Sequence, residues 1–343
     1  MRVLLIKTTS MGDVIHTLPA LTDASAAIPG IQFDWVVEEG FAEIPSWHNA
    51  VNRVIPVAIR RWRKSLMRTL RNGEWYGEWY GEWRAFRKKL KSVQYDAVID
   101  AQGLMKSALI TRMACGPKFG LDKHSAREPF SARFYDHPQS VAWGQHAVER
   151  VRKLFAQSLG YSLPEEQGRF LLNGELFPAN KAETEPYVVL IHGTTWPSKH
   201  WPEAYWCDLA RKINADGFKV LLPWGSAREK KRAELIAGST ANAEVLTRLD
   251  LAGVAGVLVN ASAAVAVDTG LGHLTAALET PAVSLYGPTS PDLVGAYGRS
   301  QIHLTLDQCP AGDHPKIEPE IFTPMTPEFV WGSLEPILHG SSQ

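Results

Sequence analysis

Short runs of aliphatic and β-branched residues, each followed by a stretch with helical spacing, recur along the whole chain, and this rhythm limits the fold more than any other feature. In the first half the runs lie at Val3 to Lys7, Phe33 to Val37, Arg53 to Val57 and Tyr95 to Asp100. Residues that are apolar at successive positions predict strands buried on both faces, and strands alternating with helices predict a parallel sheet covered on both sides. The same rhythm begins again at Tyr187 to His192 and continues through Phe218 to Leu222, Ala263 to Val267 and Ala282 to Tyr286. Two such sets in 343 residues predict an α/β protein of two doubly wound domains, each long enough to bury its own core. The charged, proline-punctuated passage from Ser162 to Pro186 reads as the connection, so the expected domains are residues 1–178 and 179–325. Thr326 followed by Pro327 marks the start of a last helix within 326–343, expected to pack back on the first domain.

Lys plus Arg and Asp plus Glu number 36 each, so no chain-wide field exists to collect nucleic acid, and no such partner is expected. Cys115, Cys207 and Cys309 are odd in number and widely spaced, which fits neither a disulfide framework nor a CxxC metal pattern and points to a reducing, cytoplasmic setting. The apolar run after Met1 is interrupted at Lys7, too early for a signal peptide, and Gly253 to Val267 is broken by Asn260 and Ser262. The chain is therefore expected to be soluble or at most peripheral on a membrane. Gly270 and Gly272 lack the third glycine of a dinucleotide fingerprint, and no GxxxxGK[ST] loop occurs. No redox cofactor is expected.

In doubly wound sheets ligands collect at the carboxyl ends of the strands, so chemistry is sought in the strand-to-helix loops. The first of these, Thr8 to His16, carries Asp13 at a helix start, where a carboxylate serves either as a cap or as a general base for a bound hydroxyl. The loop after the first strand of the second set carries Thr194, Thr195 and Lys199. Lys199 is either a neutraliser of phosphate charge or an ordinary solvated lysine. Glu229, after the next strand, is a candidate acceptor for ribose hydroxyls. Asp268, Thr269 and Gly270 open a helix whose first turn carries His273. Its free amides and partial positive charge suit a diphosphate, with His273 as a further donor; alternatively Asp268 is only a cap and His273 a surface histidine.

Between Arg60 and Lys91 there are 11 basic residues against three acidic ones. Arg60, Arg61, Arg63 and Lys64 suit a phosphorylated or carboxylated partner, and Trp62 between them suits an apolar or sugar face at a membrane surface. A solvated basic helix is the other reading. Glu74 to Trp83 repeats the tetrapeptide Glu-Trp-Tyr-Gly almost three times and reads as an expanded loop with exposed aromatics.

Taken together, the Thr8 to Asp13 loop, the Arg60 to Lys64 stretch, Asp100 to Ser107, the threonine pair with Lys199 to Pro202, and Asp268 to Leu278 resemble the lipopolysaccharide heptosyltransferase I family over nearly the whole chain. The resemblance implies the GT-B fold, two Rossmann-like domains whose parallel sheets face a central cleft. It implies metal-independent, inverting transfer of L-glycero-D-manno-heptose from ADP-heptose to the first Kdo of Kdo2-lipid A, on the cytoplasmic face of the inner membrane. The implied catalytic carboxylate is Asp13. The implied nucleotide-sugar contacts are Thr194, Thr195, Lys199, Glu229, Leu249, Asp268, Thr269, Gly270 and His273. The implied acceptor contacts are Arg60, Arg61, Arg63, Lys64 and Arg127. At Leu249 the family usually carries a longer side chain near the adenine, and the Glu-Trp-Tyr-Gly repeat is not usual in it. The residues themselves fit this activity: an inverting transfer needs one base and one electropositive site for the departing diphosphate, and the sequence holds no DxD pair to bind a cation. A related enzyme adding a later heptose, and a non-catalytic nucleotide-sugar-binding protein, are the alternatives.

Overall fold

The computed structural model describes residues 1–71, 78–177, 185–312 and 315–340, and it divides into two compact units, Met1–Asn173 and Gly174–Gln343. The boundary expected at 178 lies outside the described residues; the division by contacts falls just before it.

In the first unit β1 (Arg2–Ile6), β2 (Gln32–Glu38), β3 (Val51–Val57), β4 (Ala97–Asp100), β5 (Lys118–Leu121) and β6 (His137–Gln139) form one sheet of order β3-β2-β1-β4-β5-β6. Every pair is parallel. The helices of this unit are α1 (Met11–Ile15), α2 (Leu18–Ala27), α3 (Ile59–Arg71), α4 (Glu78–Lys91), α5 (Met105–Met113) and α6 (Ala147–Leu159). In the second unit β7 (Tyr187–Ile191), β8 (Lys219–Leu222), β9 (Ala243–Val245), β10 (Ala263–Val267), β11 (Ala282–Tyr286) and β12 (Gln301–Thr305) form a sheet of order β12-β11-β10-β7-β8-β9, again parallel throughout. Its helices are α7 (Glu203–Ala215), α8 (Ala227–Ala237), α9 (Leu251–Val259), α10 (Gly270–Ala277), α11 (Pro291–Val294) and α12 (Pro327–Leu338).

Each of the eight apolar runs is a strand, and the strands β7, β10 and β11 are buried at every residue. Coverage by helices on both faces is the reason these strands are apolar at consecutive positions. In each sheet the chain winds outward from the first strand in one direction, then returns to its other side, so the order reverses between β1 and β4 and between β7 and β10. Loops leaving the carboxyl ends of such neighbours diverge and open a crevice.

Two expectations are corrected here. The last helix, α12, is part of the second unit. Its Val330 and Leu334, on one helical face, enter the second unit's core beside Trp201 and Trp206, and it packs on α7, β10 and β11. The cap expected at Thr326 is present, Oγ1 accepting from Phe329 N at 3.3 Å. The second correction concerns the aromatic repeat: residues 74–77 lie outside the described residues, but Glu78 to Trp83 opens α4 and is not a loop. A period of four lies close to the 3.6 of a helix, so Trp79 and Trp83 fall on one stripe with Phe86 and Leu90 and pack on the first unit's core. Trp62, read as a membrane-facing ring, is 8% exposed. It stands edge-on to Trp83 and Phe86 at 5.7 Å and donates from Nε1 to Glu82 Oε2 at 2.5 Å. No helix among the described residues is long and apolar enough to cross a membrane.

Candidate active site

In the first unit the site is built at the β1/β4 switch point. Lys7 directly follows β1 and is 6% exposed; a buried ammonium requires partners, and it has two. Its Nζ donates to Ala101 O at 3.0 Å and lies 3.2 Å from Asp13 Oδ1. The other carboxylate oxygen of Asp13 accepts from Ser10 N at 2.8 Å and Ser10 Oγ at 2.9 Å. Asp13 is thus the N3 member of the capping box of α1, whose N-cap is Ser10, and the partner of Lys7 at once, while its side chain keeps 41% of its surface open. Burial pushes its carboxyl up, but Lys7 and the Ser10 bonds outweigh that and hold it below the ordinary carboxylate value. It is ionised at neutral pH.

The loop carrying Asp13 is held from β4. Gln102 Oε1 accepts from Thr8 N and Thr9 N at 2.9 and 3.1 Å, and its Nε2 donates to Thr9 O at 2.6 Å. Gln102 is itself aligned by the fully buried Asp100, which accepts from Gln102 N, Gly103 N and Tyr135 OH. Lys106 Nζ donates to Thr9 Oγ1 at 3.0 Å. Burial lowers its ammonium, offset in part by Glu38, Asp13 and Glu128 and reinforced by Arg60. These charges surround Lys106, and so join the start of the basic stretch to the Asp13 loop.

Arg60, Arg61, Arg63 and Lys64 are exposed on the first turns of α3, whose N-terminus is held by Glu38 Oε1 accepting from Arg60 N at 3.1 Å. Arg61 is engaged within the fold: it bonds both oxygens of Glu39 at 3.0 Å and Glu82 Oε1 at 2.9 Å. Arg127 is exposed in the loop after β5. All these residues therefore leave carboxyl ends of one sheet.

The second unit repeats the device at the β7/β10 switch point. Lys199, in the loop after β7, pairs with Asp268 Oδ2, to which Thr289 Oγ1 also donates at 2.7 Å. Thr194 Oγ1 donates to Asp268 O at 3.2 Å. Asp268 is 9% exposed and His273 8%, which removes the reading of a surface histidine. Thr269, in extended conformation, is the N-cap of α10, so the first amides of that helix have no helical acceptor. Glu229 closes the capping box of α8 from its N3 position, with Ser226 as N-cap, its Oε2 accepting from Gly225 N and Ser226 N at 2.8 Å. Its other oxygen lies against Gly193, where a Cβ would stand 2.7 Å away, so a larger residue there makes the Glu229 carboxylate shift. Leu249 is half-buried in the loop after β9. The residues expected at the nucleotide sugar thus occupy loops after β10, β7, β8 and β9, four neighbours in the sheet. Thr195 is exposed beside them.

Sequence reasoning missed Lys7, Gln102, Lys106 and Thr289. Only Lys7 carried a signal, as a lysine directly after a buried strand. Thr289 also lines a hollow of about 680 Å³ with Asp292, His303 and Asp307 at the ends of β11 and β12. Among the described residues, no three histidine, cysteine, aspartate or glutamate side chains converge as metal ligands would.

Residues 83–319 match the family described as glycosyltransferase family 9 (heptosyltransferase). The chain is 63% identical over 308 residues to lipopolysaccharide heptosyltransferase 1 of Pseudomonas aeruginosa, covering 90% of this chain and 84% of that one. Among solved structures it is similar to E. coli heptosyltransferase WaaC with ADP, at a TM-score of 0.88 and 49% identity over 98% of this chain and 100% of that one. The same enzyme with ADP-2-deoxy-2-fluoro heptose superposes with a TM-score of 0.85 at 48% identity, covering 98% and 99%. The two parallel six-stranded sheets are those of the GT-B class.

Proposed function

Because the chain belongs to glycosyltransferase family 9, the heptosyltransferases, we propose that it transfers L-glycero-D-manno-heptose from ADP-heptose to the first Kdo of Kdo2-lipid A in building the lipopolysaccharide inner core. The observation that carries the reading is the convergence of Lys199, Thr289 and Thr194 on Asp268 at the start of α10. That arrangement supplies one fixed cation beside a helix N-terminus, the chemistry a departing diphosphate needs.

In the proposed step the acceptor hydroxyl attacks the anomeric carbon from the face opposite the diphosphate. The new carbon–oxygen bond forms as the bond to ADP breaks, with inversion, and the hydroxyl proton passes to Asp13. The second unit holds the nucleotide sugar through Thr194, Thr195, Lys199, Glu229, Leu249, Asp268, Thr269, Gly270 and His273. Lys199, His273 and the α10 amides take the charge that develops on ADP without a metal ion. The first unit holds the acceptor, whose carboxylates and phosphates meet Arg60, Arg63, Lys64 and Arg127. Arg61 acts at one remove, by fixing Glu39 and Glu82. Since the acceptor is a membrane lipid, the enzyme works peripherally on the cytoplasmic face of the inner membrane.

The test is release of ADP from ADP-heptose in the presence and absence of Kdo2-lipid A, with the product weighed by mass spectrometry. Acceptor-dependent release with addition of one heptose, undiminished by EDTA, is expected. Release only with an acceptor that already carries heptose would assign a later step. Loss with EDTA and rescue by Mg2+ would overturn the metal-free mechanism.

A further inference from the structure

The buried stripe of α4 is accounted for by the core; its opposite face is not. Arg84, Arg87, Lys88 and Lys91 are exposed and fall at i, i+3, i+4 and i+7, one line of side chains about 10 Å long. None of the four is in an ion pair among the described residues, whereas Arg61, Arg152, Lys199, Lys219 and Arg232 each hold a carboxylate. Arg84 has only the ring of Tyr80, 6.0 Å away. Like charges at i+3 and i+4 oppose helix formation. The C-terminal dipole of α4 favours Lys88 and Lys91 but does not reach Arg84 and Arg87. The helix tolerates the row because Trp79, Trp83, Phe86 and Leu90 anchor its other side. The chain as a whole is neutral, so the row is no consequence of general basicity.

We propose that this face of α4 is a docking surface for an anionic lipid bilayer, separate from the Arg60 to Lys64 acceptor contacts. A convex, linear row of flexible cations has no pocket for a single phosphate and matches a plane of many headgroups. The choice of a bilayer over another polyanion rests on the reading that the acceptor is a membrane lipid. Docking then delivers the enzyme to the surface where its acceptor resides, and Arg63 and Lys64 remain available for that acceptor.

Co-sedimentation of the full chain with vesicles of phosphatidylcholine alone, and of phosphatidylcholine with phosphatidylglycerol, tests it. The wild type should partition onto the anionic vesicles only, and less so as salt rises. Each cation near such a surface is worth about fivefold in partitioning, so the quadruple Arg84→Gln, Arg87→Gln, Lys88→Gln, Lys91→Gln variant should lose on the order of a hundredfold or more. Glutamine preserves helix propensity, and an unchanged circular dichroism spectrum and thermal unfolding midpoint check the fold; the Arg84→Gln, Arg87→Gln pair alone should lose an intermediate amount. Arg63→Gln with Lys64→Gln should leave vesicle binding largely intact. Equal binding by wild type and quadruple variant, indifference to the anionic lipid, or tighter binding of heparin than of vesicles with equal charge would each overturn the proposal. Vesicle binding with no transfer to detergent-dispersed acceptor would sustain the docking surface and sink the proposed activity instead.

Discussion

Asp13 holds two roles that substitution can separate. Asn at this position keeps a carbonyl oxygen to accept from Ser10 N, whereas Ala removes the cap, a difference of about 1 kcal/mol in stability. If Asp13 is the base, Asp13→Asn and Asp13→Ala both lose turnover by about a hundredfold or more while binding ADP normally. Near-normal turnover of the Asn variant would leave Asp13 as a cap. Two buried histidines set the acid limit of the fold. His48 and His192 are both held down to about 4, chiefly by burial. His48 Nδ1 accepts from Ala50 N at 3.2 Å and its Nε2 lies 3.0 Å from Thr22 Oγ1, so the neutral ring suits both contacts. The unfolded chain, with histidines near the ordinary 6.5, binds the extra protons. Stability is therefore fully present above that value and falls as the pH drops towards 4, by about 1.4 kcal/mol per pH unit for each histidine. Asp13, lowered from 3.8, contributes its loss only below that. Thermal unfolding from pH 7 to 4 should show the decline, and His48→Asn should flatten it; an unchanged slope would remove His48 from the account.

At the scale of elements, the loops matter more than the helices they start. Gly193 and Glu229 lie on consecutive strand-to-helix connections, and their contact ties the Thr194 loop to the α8 cap. Gly193→Ala forces Glu229 aside and breaks its bonds to Gly225 and Ser226. About 1 kcal/mol of stability should go with the cap, and ADP affinity should fall about fivefold, a change titration calorimetry resolves. Unaltered ADP binding would take Glu229 out of the nucleotide site. The elements also differ in how plainly they could be read. The inner strands announced themselves as apolar runs, but β5, β6, β9 and β12 did not. These strands lie at or near sheet edges, and most of their residues are only partly buried or exposed, so burial imposes no apolar pattern on sequences such as His137 to Gln139. The aromatic repeat misled for the opposite reason: its glycines and tyrosines suggested a loop, while its tryptophans already carried a helical period.

For the whole molecule, the proposed function assigns donor and acceptor to different units, so their affinities should respond to different substitutions. Replacing Arg60, Arg63 and Lys64 with Ala should raise the acceptor KM several-fold and leave the KM for ADP-heptose within about twofold. The wild-type acceptor KM should rise with ionic strength, since exposed charges are screened within about 8 to 10 Å, and the variant should rise less. Arg61→Ala should instead lower stability, because Glu39 and Glu82 lose their shared partner. A loss of donor affinity in the triple variant would show the basic turn to be a solvated face. The parallel sheets and their number were determined by sequence alone, because a strand buried on both faces must be apolar throughout. What tertiary structure decided was which charges meet. Lys7 with Asp13, Thr289 with Asp268, and Arg61 with Glu39 and Glu82 join residues from different loops and strands, and the side on which α12 closes depends on which core has room for Val330 and Leu334. Such pairings follow from strand order and packing, which local residue patterns do not encode.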